Sequence, residues 1–146
     1  MRLLDRQDNV FEEIAAIYYV SFGPLERAPN GILRNIFDTA TVFVTYSPDM
    51  KRVVAFAFLT EKLGEPYVWV VATHENYRGQ GLAGHLLDEI ETFVRATNAA
   101  TGITLTVHVN NAGAQRLYLE KGYRVLRFLT NYYGSNESGL LMRKAL

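Results

Sequence analysis

Residues 67–94 constrain this chain most: an apolar run (67–72), a glycine-rich turn Tyr77-Arg78-Gly79-Gln80-Gly81-Leu82-Ala83-Gly84, then apolar residues at helical spacing as far as Val94. Strand, glycine turn and helix in that order build an anion site. The first turn of a helix leaves backbone N–H groups without intrahelical partners and carries the positive end of the helix dipole. A phosphate answers both. Gly79, Gly81 and Gly84 have no Cβ to hold a ligand off the backbone, and Arg78 adds a permanent cation with forked donors. Pyrophosphate is the natural guest.

Glycine spacing alone leaves the ligand open, because Gly79-x-Gly81-x-x-Gly84 also satisfies a dinucleotide-binding fingerprint. That fingerprint needs a carboxylate roughly 20 residues further on, at the end of the next strand. Residues 104–111 contain none. A nucleotide-triphosphate loop needs Gly-Lys-Ser/Thr after its spacer. No such tripeptide occurs in the chain.

Apolar periodicity lays out the rest. Residues 1–4 begin a strand, and Val10, Ile14, Ile17, Tyr18 and Phe22 fall at helical spacing before Gly23-Pro24 stops that helix. Asn30 is the expected N-cap of a second helix through Phe37. Residues 41–46 and 53–60 are β-branched and aromatic, joined by a turn at Ser47-Pro48-Asp49, and residues 62–66 turn the chain into 67–72. The third helix buries Leu82, Leu86, Ile90, Phe93 and Val94 on one face and ends in residues 97–102. In the strand at 103–109, Ile103, Leu105, Val107 and Val109 share one side, with Thr104, Thr106 and His108 on the other. A helix at 112–121 and strands at 123–130 and 140–144 complete the chain, the last two joined by a loop at 131–139.

Arg78-x-x-Gly81-x-Ala83 resembles the acyl-CoA pyrophosphate motif of the GNAT N-acetyltransferase superfamily. Asn111-Ala112-x-Ala114-x-x-Leu117-Tyr118-x-x-x-Gly122-Tyr123 is similar to that family's second signature. The resemblance implies an α/β (α+β) fold: a mixed, mostly antiparallel twisted sheet of about seven strands with about four helices, its parallel fourth and fifth strands splayed to admit CoA. It implies an enzyme that transfers acetyl from acetyl-CoA to a primary amine of a small molecule or of a protein N-terminus. The alternative is a non-catalytic acyl-CoA sensor of the same fold.

Mapped onto this chain, the resemblance places the pantetheine arm on Val71, Ala72 and Thr73 and the pyrophosphate on Arg78, Gly79, Gln80, Gly81, Leu82, Ala83 and Gly84. Asn111 joins the arm. Tyr118 occupies the position of the general acid that protonates the departing thiolate. The fifth-strand glutamate or histidine used as base by N-terminal-peptide acetyltransferases maps to Thr106, which cannot serve at neutral pH. Glu65, in the register of the histone-type catalytic glutamate, and His108, on the Thr106 face, are the two replacements, with a water relay as a third route. Asn131-Tyr132-Tyr133 is similar to a sequence whose tyrosines line the peptide slot. An acidic pocket for a cationic acceptor would draw on Glu12, Glu13, Glu26 or Glu137.

Composition bounds these readings. A chain of 146 residues is the size of one domain, here 1–146, and its apolar runs are too short to span a bilayer, so a soluble, cytoplasmic protein is expected. Met1-Arg2-Leu3-Leu4-Asp5-Arg6 carries charges where an export signal needs an apolar stretch. Without cysteine there is no disulfide, no thiolate metal site and no covalent cysteine intermediate, so acyl transfer would be direct. Fifteen basic and fifteen acidic side chains cancel, which argues against nucleic acid as a partner; Arg116, Lys121, Arg124, Arg127, Arg143 and Lys144 read as a solvated face. Neither His74 nor His85 has metal-ligand company, so no metal is expected. The resemblance leaves room for a homodimer formed through sheet edges or terminal strands, although no apolar edge stands out in the sequence.

Overall fold

The structure is a computed structural model that describes residues 2–3, 10–24, 26–97 and 100–146. Its elements run β1 (Arg2–Leu3), α1 (Phe11–Ser21), α2 (Asn30–Thr39), β2 (Thr41–Tyr46), β3 (Val53–Lys62), β4 (Glu65–Thr73), one tight helical turn (Glu75–Tyr77), α3 (Leu82–Thr97), β5 (Gly102–His108), α4 (Ala112–Glu120), β6 (Arg124–Gly134) and β7 (Glu137–Ala145). Met1 and Leu4, the ends of the expected first strand, lie outside the described residues, as do residues 98 and 99 of the expected turn. The strands form one seven-stranded sheet in the order β1-β2-β3-β4-β5-β7-β6, antiparallel except where β4 meets β5. This is the mixed sheet that the resemblance implies.

Each face of the sheet carries its own core. Ile14, Tyr18, Leu33 and Phe37 from α1 and α2 pack against Val42, Val44, Phe56, Phe58, Val70 and Ala72. On the other face Leu86, Leu87, Ile90 and Val94 of α3 cover Ala55, Ala57, Val68, Ile103, Leu105 and Val107. The alternation expected of β5 is therefore present, with its apolar side under α3 and Thr104, Thr106 and His108 facing away. Val68 and Val70 lie on opposite faces although two residues apart. The reason is a β-bulge: Leu59 pairs with Val68 and Phe58 with Val70, leaving Trp69 without a partner across the ladder.

That bulge falls where the parallel pairing ends. Strands β4 and β5 are registered only at Tyr67 with Thr104 and Val68 with Leu105, and beyond Val68 they separate. The paired end is cross-braced. Arg143 of β7 reaches over β5 to hold both carboxylate oxygens of Glu65, with Nη2 to Oε1 at 2.8 Å and Nε to Oε2 at 3.1 Å, and donates to Thr101 at 3.1 Å. Gly102 makes the passage: a Cβ there would lie 2.4 Å from the guanidinium carbon.

Three local expectations are corrected. Helix α2 has Pro29 at its N-cap position with no side-chain cap, so Asn30 is its first helical residue instead of its cap. The turn between β3 and β4 is two residues, Leu63 at φ 54° and Gly64 at φ 80°, a left-handed pair that suits a tight hairpin and leaves Lys62 and Glu65 on the strands. The loop expected at 131–139 is mostly strand, broken by a register shift between Leu129 and Gly134. A fourth point was not visible in the sequence: edge strand β6 exposes Val125, Leu126 and Phe128.

The Glu65–Arg143 brace has a measurable signature. Arg143's hydrogen bonds hold the Glu65 carboxyl below its usual range. Its contribution is thus full above the ordinary carboxylate pKa and lost as pH falls through the lowered folded value. Glu65→Gln is expected to cost ~1 kcal/mol near neutral pH and nothing in strong acid, read by urea unfolding across pH. Gly102→Ala, by displacing the guanidinium, is expected to remove much of the same energy, and the double variant to fall short of additivity.

Candidate active site

Beside the separated edge of β4 lies a cavity of about 690 Å³. Val71, Ala72 and Thr73 form one wall, and Arg78, Gly79, Gly81, Leu82, Ala83 and Gly84 form its end. Every residue of the expected anion turn is there except Gln80. Gly79 and Gly81 sit at φ +77° and +78°, a region that costs other residues roughly 1–2 kcal/mol, and so bring the chain round into α3 with its free N–H end at the cavity. At Gly84 a Cβ would meet the flexible end of Lys121 at 3.1 Å and Leu117 at an ordinary contact distance of 3.6 Å. Arg78 is anchored at the rim, Nε donating to the Thr73 carbonyl at 3.2 Å and Nη2 to Ser21 Oγ at 3.4 Å.

A second cavity, of about 240 Å³, adjoins the first. The two share Phe22, Val71, Asn111 and Ala114. Asn111 is an N-cap, its Oδ1 accepting from the Ala114 N–H at 3.1 Å, and it stands at the junction. Tyr118 lines the smaller cavity, and loss of water around its phenol pushes it up to about 12, so it stays a neutral O–H donor across the physiological range. The wall opposite comes from the hairpin of β6 and β7. Asn131, at φ 54°, donates its N–H to Ser138 Oγ at 3.0 Å, and the register shift there brings Tyr132 and Tyr133 to the cavity.

Several wall residues were not singled out from the sequence. Tyr67 and Trp69 were counted in an apolar strand, and Tyr18 and Phe22 as helix core; all four line the smaller cavity. No spacing signal announces a bulge, and Trp69 owes its position to one. Of the four acidic candidates only Glu26 lines this cavity. The segment that carries it is fixed by two phenols, Tyr18 accepting from the Ala28 N–H at 2.7 Å and Tyr19 donating to the Ala28 carbonyl at 2.8 Å.

Neither expected base presents a free basic atom. Glu65 lines neither cavity, and its carboxylate is held by Arg143 at the paired end of the sheet, which makes it a weaker base. His108 does line the smaller cavity and is buried, with Tyr133 stacked on its ring at 5.4 Å. However, its Nδ1 accepts the Asn110 N–H at 3.0 Å, and its Nε2 is bonded to Glu137. Both nitrogens are engaged.

Hydroxyls gather in their place. Tyr67 donates to Thr106 Oγ1 at 2.9 Å, and Tyr132 lines the same cavity. Lys62 Nζ donates to the Tyr132 oxygen at 3.3 Å and sits 4.8 Å and 5.4 Å from the ring centres of Tyr67 and Tyr132. Burial raises the Tyr67 and Tyr133 phenols. At Tyr132 burial acts in the same direction, but polar interaction with Tyr67 and Lys62 and the Lys62 charge outweigh it and hold this phenol below its usual value. Among the described residues no cluster of three or more histidines or carboxylates could hold a metal ion, and no helix is long and apolar enough to cross a membrane.

A splayed parallel pair with an anion turn at the open end and an aromatic cavity at the junction is the architecture of an acyl-CoA-dependent acyltransferase. The sequence profile of the acetyltransferase (GNAT) family matches residues 8–123, and the chain belongs to that family. Among its relatives, an uncharacterized N-acetyltransferase of Methanocaldococcus jannaschii is 31% identical over 93 residues, 64% of this chain and 60% of that protein. The catalytic subunit NAA20 of the N-terminal acetyltransferase B complex of Arabidopsis thaliana is 35% identical over 80 residues, 55% of this chain and 46% of that protein. The chain thus matches less than two thirds of either relative. In fold it is similar to the ribosomal-protein-S18-alanine N-acetyltransferase of Escherichia coli, with TM-score 0.81, 21% identity and 99% and 91% of the two chains covered. Arabidopsis thaliana NAA60, solved with acetyl-CoA, gives TM-score 0.80 at 18% identity over 99% and 97%.

The His108 geometry predicts one tautomer. Because Nδ1 accepts a backbone N–H, the ring proton belongs on Nε2, facing Glu137. Long-range nitrogen–proton NMR correlations of the neutral ring are expected to show a bare Nδ1 and a protonated Nε2. In Glu137→Gln the Nδ1 signal is expected to stay bare, since its backbone donor is untouched.

Proposed function

We propose that this chain is an N-acetyltransferase that delivers acetyl from acetyl-CoA directly to a primary amine, and that a protein or peptide N-terminus is the acceptor its site fits best. The observation that carries this is the meeting of two cavities at Phe22, Val71, Asn111 and Ala114. The larger has the anion turn at its end. The smaller has tyrosines and one carboxylate, Glu26, around it. A thioester held at the junction would face both.

The pyrophosphate, the pantetheine arm and the thioester of acetyl-CoA then each have a counterpart. Its pyrophosphate takes the N–H groups at the start of α3 and the Arg78 cation. Amides of the pantetheine arm pair with the β4 edge at Val71–Thr73, where β5 offers no ladder partner. The amine enters through the aromatic cavity, and Glu26 attracts it as an ammonium ion. Once the ammonium has lost a proton, its nitrogen attacks the thioester carbon, the C–N bond forms, the C–S bond breaks, and the Tyr118 O–H supplies the proton to the leaving sulfur, regaining one from the amine. Support for a peptide acceptor comes from Tyr132 and Tyr133 on the cavity wall and from the similarity to a plant N-terminal acetyltransferase subunit.

A thiol-release assay with acetyl-CoA, run over N-terminal peptides and small amines, tests the reading. Turnover is expected, highest on peptides; tight CoA binding without turnover on any amine would replace it with the sensor reading. Arg78→Ala is expected to weaken CoA binding roughly tenfold by calorimetry, the loss of one charge-assisted contact. Tyr118→Phe is expected to lower kcat by roughly 10²-fold while KM changes little.

A further inference from the structure

The reaction needs a proton acceptor for the incoming ammonium, and the geometry excludes the obvious groups. Thr106 is not basic at neutral pH, Glu65 is committed to Arg143, and both nitrogens of His108 are engaged. We propose that Tyr132, held by Lys62 and facing the acceptor cavity, is the catalytic base, and that Lys62 is its positioning residue. This rests on the acetyltransferase reading above.

The Lys62 ammonium donates to the Tyr132 oxygen and needs no proton from it. Its Nζ stands 3.3 Å away, and the Tyr67 and Thr106 hydroxyls, bonded to each other, line the same cavity. Such a surround favours the phenolate over the phenol. The arrangement is built into the fold: the two-residue turn at Leu63 and Gly64 leaves Lys62 on β3 directly beside Tyr67, its partner strand's second neighbour, and the shifted hairpin brings Tyr132 over both. Lys62 Nζ lies against the faces of the two rings at 4.8 Å and 5.4 Å, so its charge serves both phenols.

Other groups surround this site. Tyr133 meets the Tyr132 ring edge-on at 4.8 Å, and beyond it lie His108 and, through His108, Glu137. Glu26 from the segment between α1 and α2 and Tyr118 from α4 face the same cavity. Tyr118 remains a neutral phenol and is the donor to sulfur. Glu26 is the one carboxylate among the cavity-lining residues, so the test must separate it from Tyr132.

Tyr132 phenolate takes one proton from the ammonium and becomes a phenol, leaving a neutral amine. That amine forms the C–N bond as the C–S bond breaks, and its second proton ends on the sulfur by way of Tyr118, which is restored. Tyr132 then returns its proton to solvent, to which it is partly open.

The pH dependence of kcat/KM for wild type, Lys62→Met, Lys62→Arg, Tyr132→Phe and Glu26→Gln tests the assignment. Removing the Lys62 charge is expected to raise the phenol's pKa, so the ascending limb moves up by about one pH unit in Lys62→Met and stays near wild type in Lys62→Arg. The acceptor's own titration is common to every variant. Tyr132→Phe is expected to lose roughly 10²-fold in kcat with an unaltered melting temperature. Loss of the limb in Glu26→Gln, a Tyr132→Phe enzyme within twofold of wild type, or an unmoved limb in Lys62→Met would each overturn the proposal. Ultraviolet difference titration of phenolate, wild type against Tyr132→Phe, with and without Lys62→Met, reads the same coupling without turnover. A wild type that acetylates nothing but shows that shift has lost the enzyme reading and kept the Lys62–Tyr132 pair; one that acetylates without the shift has lost the pair alone.

Discussion

The separation of β4 from β5 beyond Val68 is the constraint on which everything else depends. A parallel pair left unladdered exposes backbone N–H and C=O groups, and such groups are costly unless they find partners. Here the bulge at Trp69 ends the pairing, and the first two registered pairs keep the other end shut. The Glu65–Arg143 brace lies at that shut end. A sheet pinned at one end and open at the other yields a wedge, and an extended ligand with amide groups can restore along β4 the ladder that β5 gives up.

Much of this was legible in the sequence because it rests on local rules. Glycines with an adjacent arginine between a strand and a helix mark an anion turn, and Gly79 and Gly81 do adopt the left-handed geometry that makes the turn. Two-residue alternation separated Thr106 and His108 from the buried face of β5. The illegible parts are non-local. Whether Glu65 is free depends on Arg143, a residue 78 positions away, and on the missing Cβ of Gly102 between them. Whether His108 is a base depends on which atoms meet its two nitrogens. Nothing in the run from Tyr67 to Ala72 distinguishes Tyr67 and Trp69 as wall residues, because a bulge reverses the facing of a strand without a residue type that requires it.

The aromatic content of the chain is divided by the same geometry. On the α1 side, Tyr18, Phe58 and Trp69 stack, Tyr18 to Trp69 at 5.8 Å and Phe58 to Trp69 at 6.1 Å, so the bulged residue is held between helix and sheet. Rigid rings then carry the floor of the smaller cavity, while the hairpin supplies Tyr132 and Tyr133 as its roof. Gly139 is what allows that roof to settle. A Cβ there would come within 3.2 Å of both Tyr133 and Thr106, so the hairpin would ride higher over β5. The shape of the smaller cavity is thereby tied to backbone packing more than to any single polar contact.

Formal neutrality of the chain is compatible with a polyanionic ligand because the attraction is supplied locally. Several charged side chains are spent internally: Lys121 on Asp88, Lys144 on Glu91, Arg95 on Glu91 and Arg143 on Glu65. Arg78 differs in being held by neutral oxygens, those of Thr73 and Ser21, which orient the guanidinium without cancelling its charge. Lys62 is likewise placed against phenols in place of a carboxylate. Arg78 at the rim of the larger cavity and Lys62 beside Tyr132 of the smaller thus keep their charges for different tasks under the proposed function, a phosphate for one and the Tyr132 oxygen for the other. A uniformly basic surface could not make that distinction.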